Sequence, residues 1–88
     1  MKRTRLLISG DVQGVYFRHS CRRLAAQRGV TGWIRNLRDG RVEAVFEGPD
    51  DDVDGMVAWA HRGPSAARVA DVTAHAESPE GLTNFMVK

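Results

Sequence analysis

The chain has 88 residues, a length that suits a single domain of residues 1–88 and leaves little room for a second. Hydrophobic residues make up 42% of the chain and charged residues 27%, which excludes a chain kept disordered by its charge. With 13 Lys and Arg residues against 11 Asp and Glu residues, the net charge is only +2, so attraction to a polyanion such as nucleic acid is weak.

Cysteine usage and apolar patterning narrow the class of protein further. The single cysteine, Cys21, excludes an internal disulfide framework and a multi-cysteine metal site. No apolar run approaches the ~18 residues that a membrane-spanning helix needs. The run Leu6-Leu7-Ile8 is also too short for the apolar part of a secretion signal. We therefore expect a cytoplasmic protein without a membrane partner.

The first two predicted elements are a strand and a helix. Residues 4–9 form a short apolar-rich run that Gly10-Asp11 closes, which predicts a strand followed by a turn. Apolar side chains then recur at helical spacing before Gly29, a residue that often ends helices. These apolar positions are Phe17, Cys21, Leu24 and Ala25.

A hairpin and a second helix follow. Residues 30–37 and 42–47 read as extended runs, and the Asp39-Gly40 turn between them is typical of a β-hairpin. Three aspartates at 50–52 place negative charge where a helix dipole is positive, and apolar residues then recur at helical spacing up to Ala60. We expect His61 and Arg62 in the last helical turn and Gly63 as its end.

Two further extended runs complete the chain, at residues 68–76 and 82–88, with Phe85 and Val87 on one face of the second. The order β–α–β–β–α–β plus a short C-terminal strand predicts an α+β, ferredoxin-like sandwich. In that fold two helices cover one face of an antiparallel sheet. The same fold hosts enzymes, RNA binders and metal carriers, so it does not by itself indicate a function.

The segment between the first strand and the first helix has the features of an anion site. Gly10 and Gly14 allow a tight turn and a close approach to a ligand. Free N–H groups and the dipole at the start of the helix favour negative charge. Arg18, in the first helical turn, can donate two charge-assisted hydrogen bonds to a phosphate. A plain strand–helix turn with a solvated arginine explains these residues equally well, so both interpretations stay open on this ground alone.

Longer motifs in the chain resemble one known family. Residues 10–18, GDVQGVYFR, resemble the acylphosphatase signature G-x-V-Q-G-V-x-F-R at every fixed position. Residues 32–48 resemble the family's second signature, from GWIRN through Gly40 and Val42 to Gly48. Residues 63–69 also resemble its loop before the fourth strand. Cys21, where many relatives have Thr, and Ile34, where a smaller residue is more usual, are the departures.

The resemblance implies a metal-independent hydrolase of acyl phosphates that uses no cofactor. It implies that Arg18 and backbone N–H groups hold the phosphoryl group, while Asn36 holds the attacking water. The binding residues it assigns are Gln13, Gly14, Val15, Tyr16, Phe17 and Arg18. The partners it implies are a small acyl phosphate as substrate and inorganic phosphate as product or inhibitor. It also implies that the protein is a monomer.

Two other functions compete with this one. An RNA-binding module of the same fold would need aromatic residues on its central strands. The first strand has none, and the third has only Phe46, next to Glu47; no nucleic-acid partner is therefore expected. A carbamoyl phosphate-specific domain would carry the same loop and asparagine, because acylphosphatase-like domains also occur in carbamoyl-transfer enzymes.

Several residues that could carry chemistry are better explained by structure. Cys21 lies on the apolar helix face, which predicts a buried structural thiol. The three histidines lack the spacing of a metal site, and the 50–52 aspartates fit a helix start better than a magnesium site. Arg22 and Arg23 could form a basic shoulder beside the loop, but a solvated face is the favoured interpretation. Strand alternation predicts that Arg35 points away from Asn36.

Overall fold

The order of helices and strands is the one that the sequence predicts. The computed structural model describes all 88 residues. Its strands are β1 (Lys2–Asp11), β2 (Thr31–Asn36), β3 (Val42–Gly48), β4 (Arg68–Glu77) and β5 (Phe85–Val87), and its helices are α1 (Phe17–Arg28) and α2 (Asp50–Ala60). Neither helix is long and apolar enough to cross a membrane.

The five strands form one sheet in the order β4-β1-β3-β2-β5, and the ferredoxin-like α+β architecture is confirmed. The four long strands are antiparallel to their neighbours, as expected. The short β5 instead pairs in parallel with β2, with Met86 opposite Trp33, which makes the sheet mixed. The registers explain this direction, because β4 ends at the same end of the sheet at which β2 begins. The chain crosses that end and then runs alongside β2.

A glycine ends α1, whereas α2 ends at Ala60, before Gly63, and is slightly shorter than expected. Gly29 has φ 69 and its N–H donates to the carbonyl oxygens of Ala25 and Ala26, so it ends α1 as predicted. His61 and Arg62 do not lie in the last turn of α2, and that prediction was wrong. The N–H groups of Arg62 and Gly63 both donate to Trp59 O, at 3.0 and 2.8 Å, and this turn ends the helix before them.

The hydrophobic core lies between the helices and one face of the sheet. Phe17, the first residue of α1, is buried there and packs its ring 5.1 Å from that of Trp59 on α2. Phe46 on β3 packs its ring 6.1 Å from that of Phe85 on β5. The first contact holds the start of α1 against α2, and the second packs the edge strand β5 against β3 within the core. The largest fully buried side chains around them include Leu6, Ile8, Ile34 and Met56.

The opposite face of the sheet carries a ladder of ion pairs instead of a helix layer. The ladder consists of arginine and glutamate side chains that strand alternation places on this face. Each carboxylate lies between two cations or between a cation and backbone N–H groups. The members of the ladder are Arg3, Glu47, Glu77, Arg5, Glu43 and Arg35. Trp33 lies on this face too, with the guanidinium groups of Arg5 and Arg35 about 5.5 and 5.4 Å from its ring.

Candidate active site

The loop between β1 and α1 has an unusual backbone. Gly14 has φ 73 and Tyr16 has φ 65, so both are left-handed, and Tyr16 is the only non-glycine residue with a positive φ. Such a conformation costs a residue with a side chain about 1–2 kcal/mol. Tyr16 precedes the right-handed Phe17 at the start of α1, an alternation that turns successive N–H groups toward one concave surface.

The N–H groups of this loop have no acceptor within the chain. None of those from Gln13 to Tyr16 donates to another group, and the first helical bond runs from Ser20 N–H to Tyr16 O at 3.0 Å. The N–H groups of Phe17 and Arg18 therefore lack a helical partner as well. Unsatisfied N–H groups at a helix N-terminus attract anions, because the positive end of the helix dipole adds to their partial charges.

A cavity of about 450 Å³ opens beside these groups. Three parts of the fold surround it: the loop and first turns of α1, the end of β2, and the end of β5. Its lining residues are Val12, Gly14, Tyr16, Phe17, Arg18, His19, Arg22, Asn36 and Val87. Cations line it and carboxylates do not, so an anion would enter a positive environment.

Arg18 lies half-buried in the lining of this cavity. No side-chain carboxylate pairs with it, and its Nη1 donates only a long hydrogen bond of 3.4 Å to a main-chain oxygen of Lys88. The guanidinium keeps most of its five N–H donors for another acceptor. Among the cations of the chain this sets it apart from Arg3, Arg5 and Arg35, which all pair with carboxylates.

Asn36 is the last residue of β2, and its amide faces the same cavity. Its Oδ1 is buried and accepts no hydrogen bond from the protein. A buried acceptor left without a partner costs about 1–3 kcal/mol, so the fold tolerates a penalty to keep this amide at the end of β2. Arg35, the preceding residue, pairs with Glu43 at 2.6 Å on the opposite face, as strand alternation predicts.

Five of the seven residues singled out from the sequence line the cavity, and two do not. Gly14, Tyr16, Phe17, Arg18 and Asn36 come together there. The side chain of Gln13 turns instead toward the β2–β3 hairpin, and Val15 packs against the core.

Four lining residues were not assigned to the site from the sequence. Val12 and Val87 supply apolar wall, and Val87 reaches the cavity only because β5 pairs with β2. His19 is exposed, and it lies at the cavity. Arg22 was assigned to a solvated face. Its position four residues after Arg18, one helical turn away, is the signal that could have placed it here.

The remaining candidate residues have structural surroundings. Cys21 is fully buried in the core, as predicted, and burial raises the pKa of its thiol, which excludes a reactive thiolate at neutral pH. Of the three aspartates, Asp50 lies 3.6 Å from the N-terminal amine and Asp52 lies 3.5 Å from Arg28. Trp59 packs between the helices.

The chain matches one protein family along nearly its whole length. A model of the family described as Acylphosphatase matches residues 4–87. The acylphosphatase of Haloarcula marismortui is 54% identical over 86 residues, covering 98% of this chain and 94% of that protein. The acylphosphatase of Trichormus variabilis is 57% identical over 86 residues, covering 98% and 85%.

A solved structure agrees with this assignment. The crystal structure of acylphosphatase from Bacillus subtilis superposes with a TM-score of 0.95 at 34% identity, covering 100% of this chain and 99% of that one. Fold, family match and identity to relatives of similar length therefore agree that this chain belongs to the acylphosphatase family and is an enzyme of that type, which hydrolyses acyl phosphates.

Proposed function

We propose that the chain hydrolyses the carboxyl–phosphate anhydride by direct attack of water on the phosphorus, without a metal or cofactor. The loop from Gln13 to Arg18 binds the phosphoryl group through backbone N–H groups, with the Arg18 guanidinium as the main charge partner. Asn36 holds the attacking water in line with the bond that breaks. The new P–O bond forms as the P–O bond to the acyl group breaks, and its electron pair leaves with the carboxylate.

The chemistry of the leaving group makes a general acid unnecessary. A carboxylate has a conjugate acid of pKa about 4, so it departs without first taking up a proton. No metal is required to hold that oxygen. What remains for the protein is to neutralise charge on the phosphoryl oxygens and to position one water, and both act through geometry and electrostatics.

One observation carries the proposal. The unpaired guanidinium of Arg18 and the buried, unpartnered Oδ1 of Asn36 line the same cavity, at the N-terminus of a helix. The first is a donor set suited to phosphate, and the second is an acceptor suited to a water O–H. A guanidinium without a side-chain carboxylate partner and an amide oxygen without any partner together support a site for an anion and a water.

The proton of the attacking water goes to the substrate in this proposal. The Asn36 amide is too weak a base to take the proton, although its oxygen can accept a hydrogen bond from the water. No carboxylate lines the cavity to serve as base, and His19, the one histidine there, is given no part in proton transfer in this proposal. A phosphoryl oxygen of the substrate therefore receives the proton, and no phosphoenzyme forms.

We also propose that residues 1–88 act as one monomeric domain and bind no nucleic acid. Every residue that lines the cavity comes from one chain, so a second copy is not needed to build it. Phe46, the aromatic residue on β3, is buried in the core and offers no surface on which a base could stack.

Hydrolysis of benzoyl phosphate in excess EDTA tests the proposal, with the Arg18→Gln variant as control and carbamoyl phosphate as a second substrate. We expect turnover of benzoyl phosphate by the wild type and none by the variant. Turnover of carbamoyl phosphate alone would replace the general acyl phosphate assignment with a carbamoyl-specific one. Turnover abolished by EDTA would contradict the metal-independent mechanism.

A further inference from the structure

Arg22 gives the cavity a second cation outside the phosphate loop, the segment of residues 13–18 that we propose to bind the phosphoryl group. It lies four residues after Arg18 on α1, about 6 Å further along the helix axis, and it lines the same cavity. Side chains at this spacing share one face of a helix. The two guanidinium groups therefore border the same cavity, one helical turn apart along α1.

The surroundings leave this second cation without a partner. Helix α1 contains no Asp or Glu, and no carboxylate lines the cavity. Arg22 takes part in no ion pair, whereas Arg28 on the same helix lies 3.5 Å from Asp52. Like charges one helical turn apart repel each other, so a pair of unneutralised arginines around one cavity favours an anionic occupant.

The neighbouring arginine shows that this placement is specific. Arg23 lies on a different side of α1, beside Ser20, Gln27 and Trp59, and does not line the cavity. Both arginines are exposed and carry the same charge. They differ in whether the side chain borders the space where a substrate would bind.

Lys88 does not supply the second charge. Its ammonium group lies 4.4 Å from the centre of the Trp33 ring, on the sheet face opposite the helices. His19, in contrast, lines the cavity beside Arg18 and offers a further ring nitrogen as a donor.

We propose that the preferred substrates are acyl phosphates whose acyl group carries a second anionic group, which Arg22 binds, with His19 as an additional donor. This inference rests on the proposed function, because it places the phosphoryl group at Arg18. The acyl group then extends along α1 toward Arg22, across a cavity of about 450 Å³ that exceeds the needs of a phosphoryl group. Arg22 is a specificity-determining residue here and takes no part in the bond-breaking step.

The test compares two substrates that differ only at the far end of the acyl group, benzoyl phosphate and 4-carboxybenzoyl phosphate. Wild type, Arg22→Gln, Arg22→Lys and Arg23→Gln are assayed with both. Arg22→Gln is expected to lower kcat/KM for the carboxylated substrate about tenfold through KM, as loss of one charge-assisted hydrogen bond requires. Its effect on benzoyl phosphate turnover and on inhibition by inorganic phosphate should be much smaller, because neither ligand carries an anionic group that reaches Arg22.

The other variants separate a local contact from a general effect of charge. Arg22→Lys should restore part of the preference, and Arg23→Gln should keep all of it. An equal effect of Arg22→Gln on both substrates, or equal effects of the Arg22 and Arg23 variants, would overturn the inference while leaving the hydrolase assignment intact. A folded wild type that hydrolyses neither substrate would overturn the proposed function and this inference with it.

Discussion

The side chain of Gln13 donates a hydrogen bond of 2.7 Å to the carbonyl oxygen of Leu37, and a second of 3.0 Å to that of Arg41. Leu37 directly follows Asn36, and Arg41 precedes β3. One amide thus ties the phosphate loop to both ends of the β2–β3 turn. It sets the distance between the groups that we propose to bind the phosphoryl group and the residue that we propose to hold the water.

Replacing Gln13 with Ala should therefore lower kcat and leave the protein folded. We expect kcat for benzoyl phosphate to fall about 10–100-fold, because a small misplacement of catalytic groups weakens alignment strongly. The free energy of unfolding should fall by only about 1–2 kcal/mol for two lost hydrogen bonds. Steady-state kinetics and urea unfolding measure the two effects. Gln27→Ala, an exposed change on α1, is the matched control, and a Gln13 variant with normal kcat would contradict the role given to this amide.

Arg18 and Asn36 should separate binding from turnover. Arg18→Ala should abolish both hydrolysis and the binding of inorganic phosphate, because it removes the guanidinium that we propose to pair with the phosphoryl group. Asn36→Ala should reduce kcat about 100–1,000-fold and leave the inhibition constant of phosphate nearly unchanged, since it removes a contact to water. Inhibition kinetics and isothermal titration with phosphate provide the comparison. Equal loss of phosphate affinity in both variants would show that the division of roles is wrong.

A buried carboxylate on the other face of the sheet makes stability depend on pH. Burial by itself would raise the pKa of Glu47, but hydrogen bonds from the N–H groups of Glu80, Leu82 and Gly81 and from the Arg3 guanidinium outweigh it and hold the pKa at about 2. These hydrogen bonds hold residues 80–82, the segment that leads into β5, against Glu47. Since its pKa is lower in the folded than in the unfolded chain, its stabilisation is present above the unfolded value and is lost as pH falls toward 2.

We therefore expect the free energy of unfolding to fall between about pH 5 and pH 2, with roughly 2–3 kcal/mol of that loss due to Glu47. Glu47→Gln should be destabilised at pH 7 and should approach the wild type near pH 2. Urea unfolding at several pH values gives both curves. Glu80→Gln, at an exposed carboxylate that also faces Arg3, should change stability by less than about 1 kcal/mol. Parallel curves for wild type and Glu47→Gln would rule out this source of acid sensitivity.

Gly32 is a position where any side chain should harm folding. It has φ 136, and a Cβ there would lie 1.8 Å from the carbonyl oxygen of Val45 on the paired strand. Gly32→Ala should lower the free energy of unfolding by about 2–4 kcal/mol, from backbone strain and a clash with rigid backbone. Gly81→Ala makes a useful comparison, because Gly81 also has a positive φ but no atom within 4 Å of its Cβ position. Similar losses at both sites would show that the clash at Gly32 is relieved by a shift of β3.

Local sequence patterns predicted most of the helices and strands. The Asp39-Gly40 turn, the Gly29 stop and the three aspartates at the start of α2 act over a few residues, and each predicted an element that the structure contains. The sequence predicts the wrong end for α2, because a glycine followed by a proline, as at Gly63-Pro64, is typical of the residue directly after the last helical turn. The chain instead makes a turn through Arg62 that bonds back to Trp59.

The sequence by itself determined the helices and strands, their ferredoxin-like order, and the loop and asparagine of the candidate site. It could do so because turns, helix ends and signature motifs depend on residues that are close together in the chain. Only the tertiary structure decided that Val87 lines the cavity, through parallel pairing of β5 with β2. It also decided that Glu47 is buried beneath a segment more than thirty residues away. Such contacts depend on how whole elements pack, and no local spacing encodes the packing of one element on another.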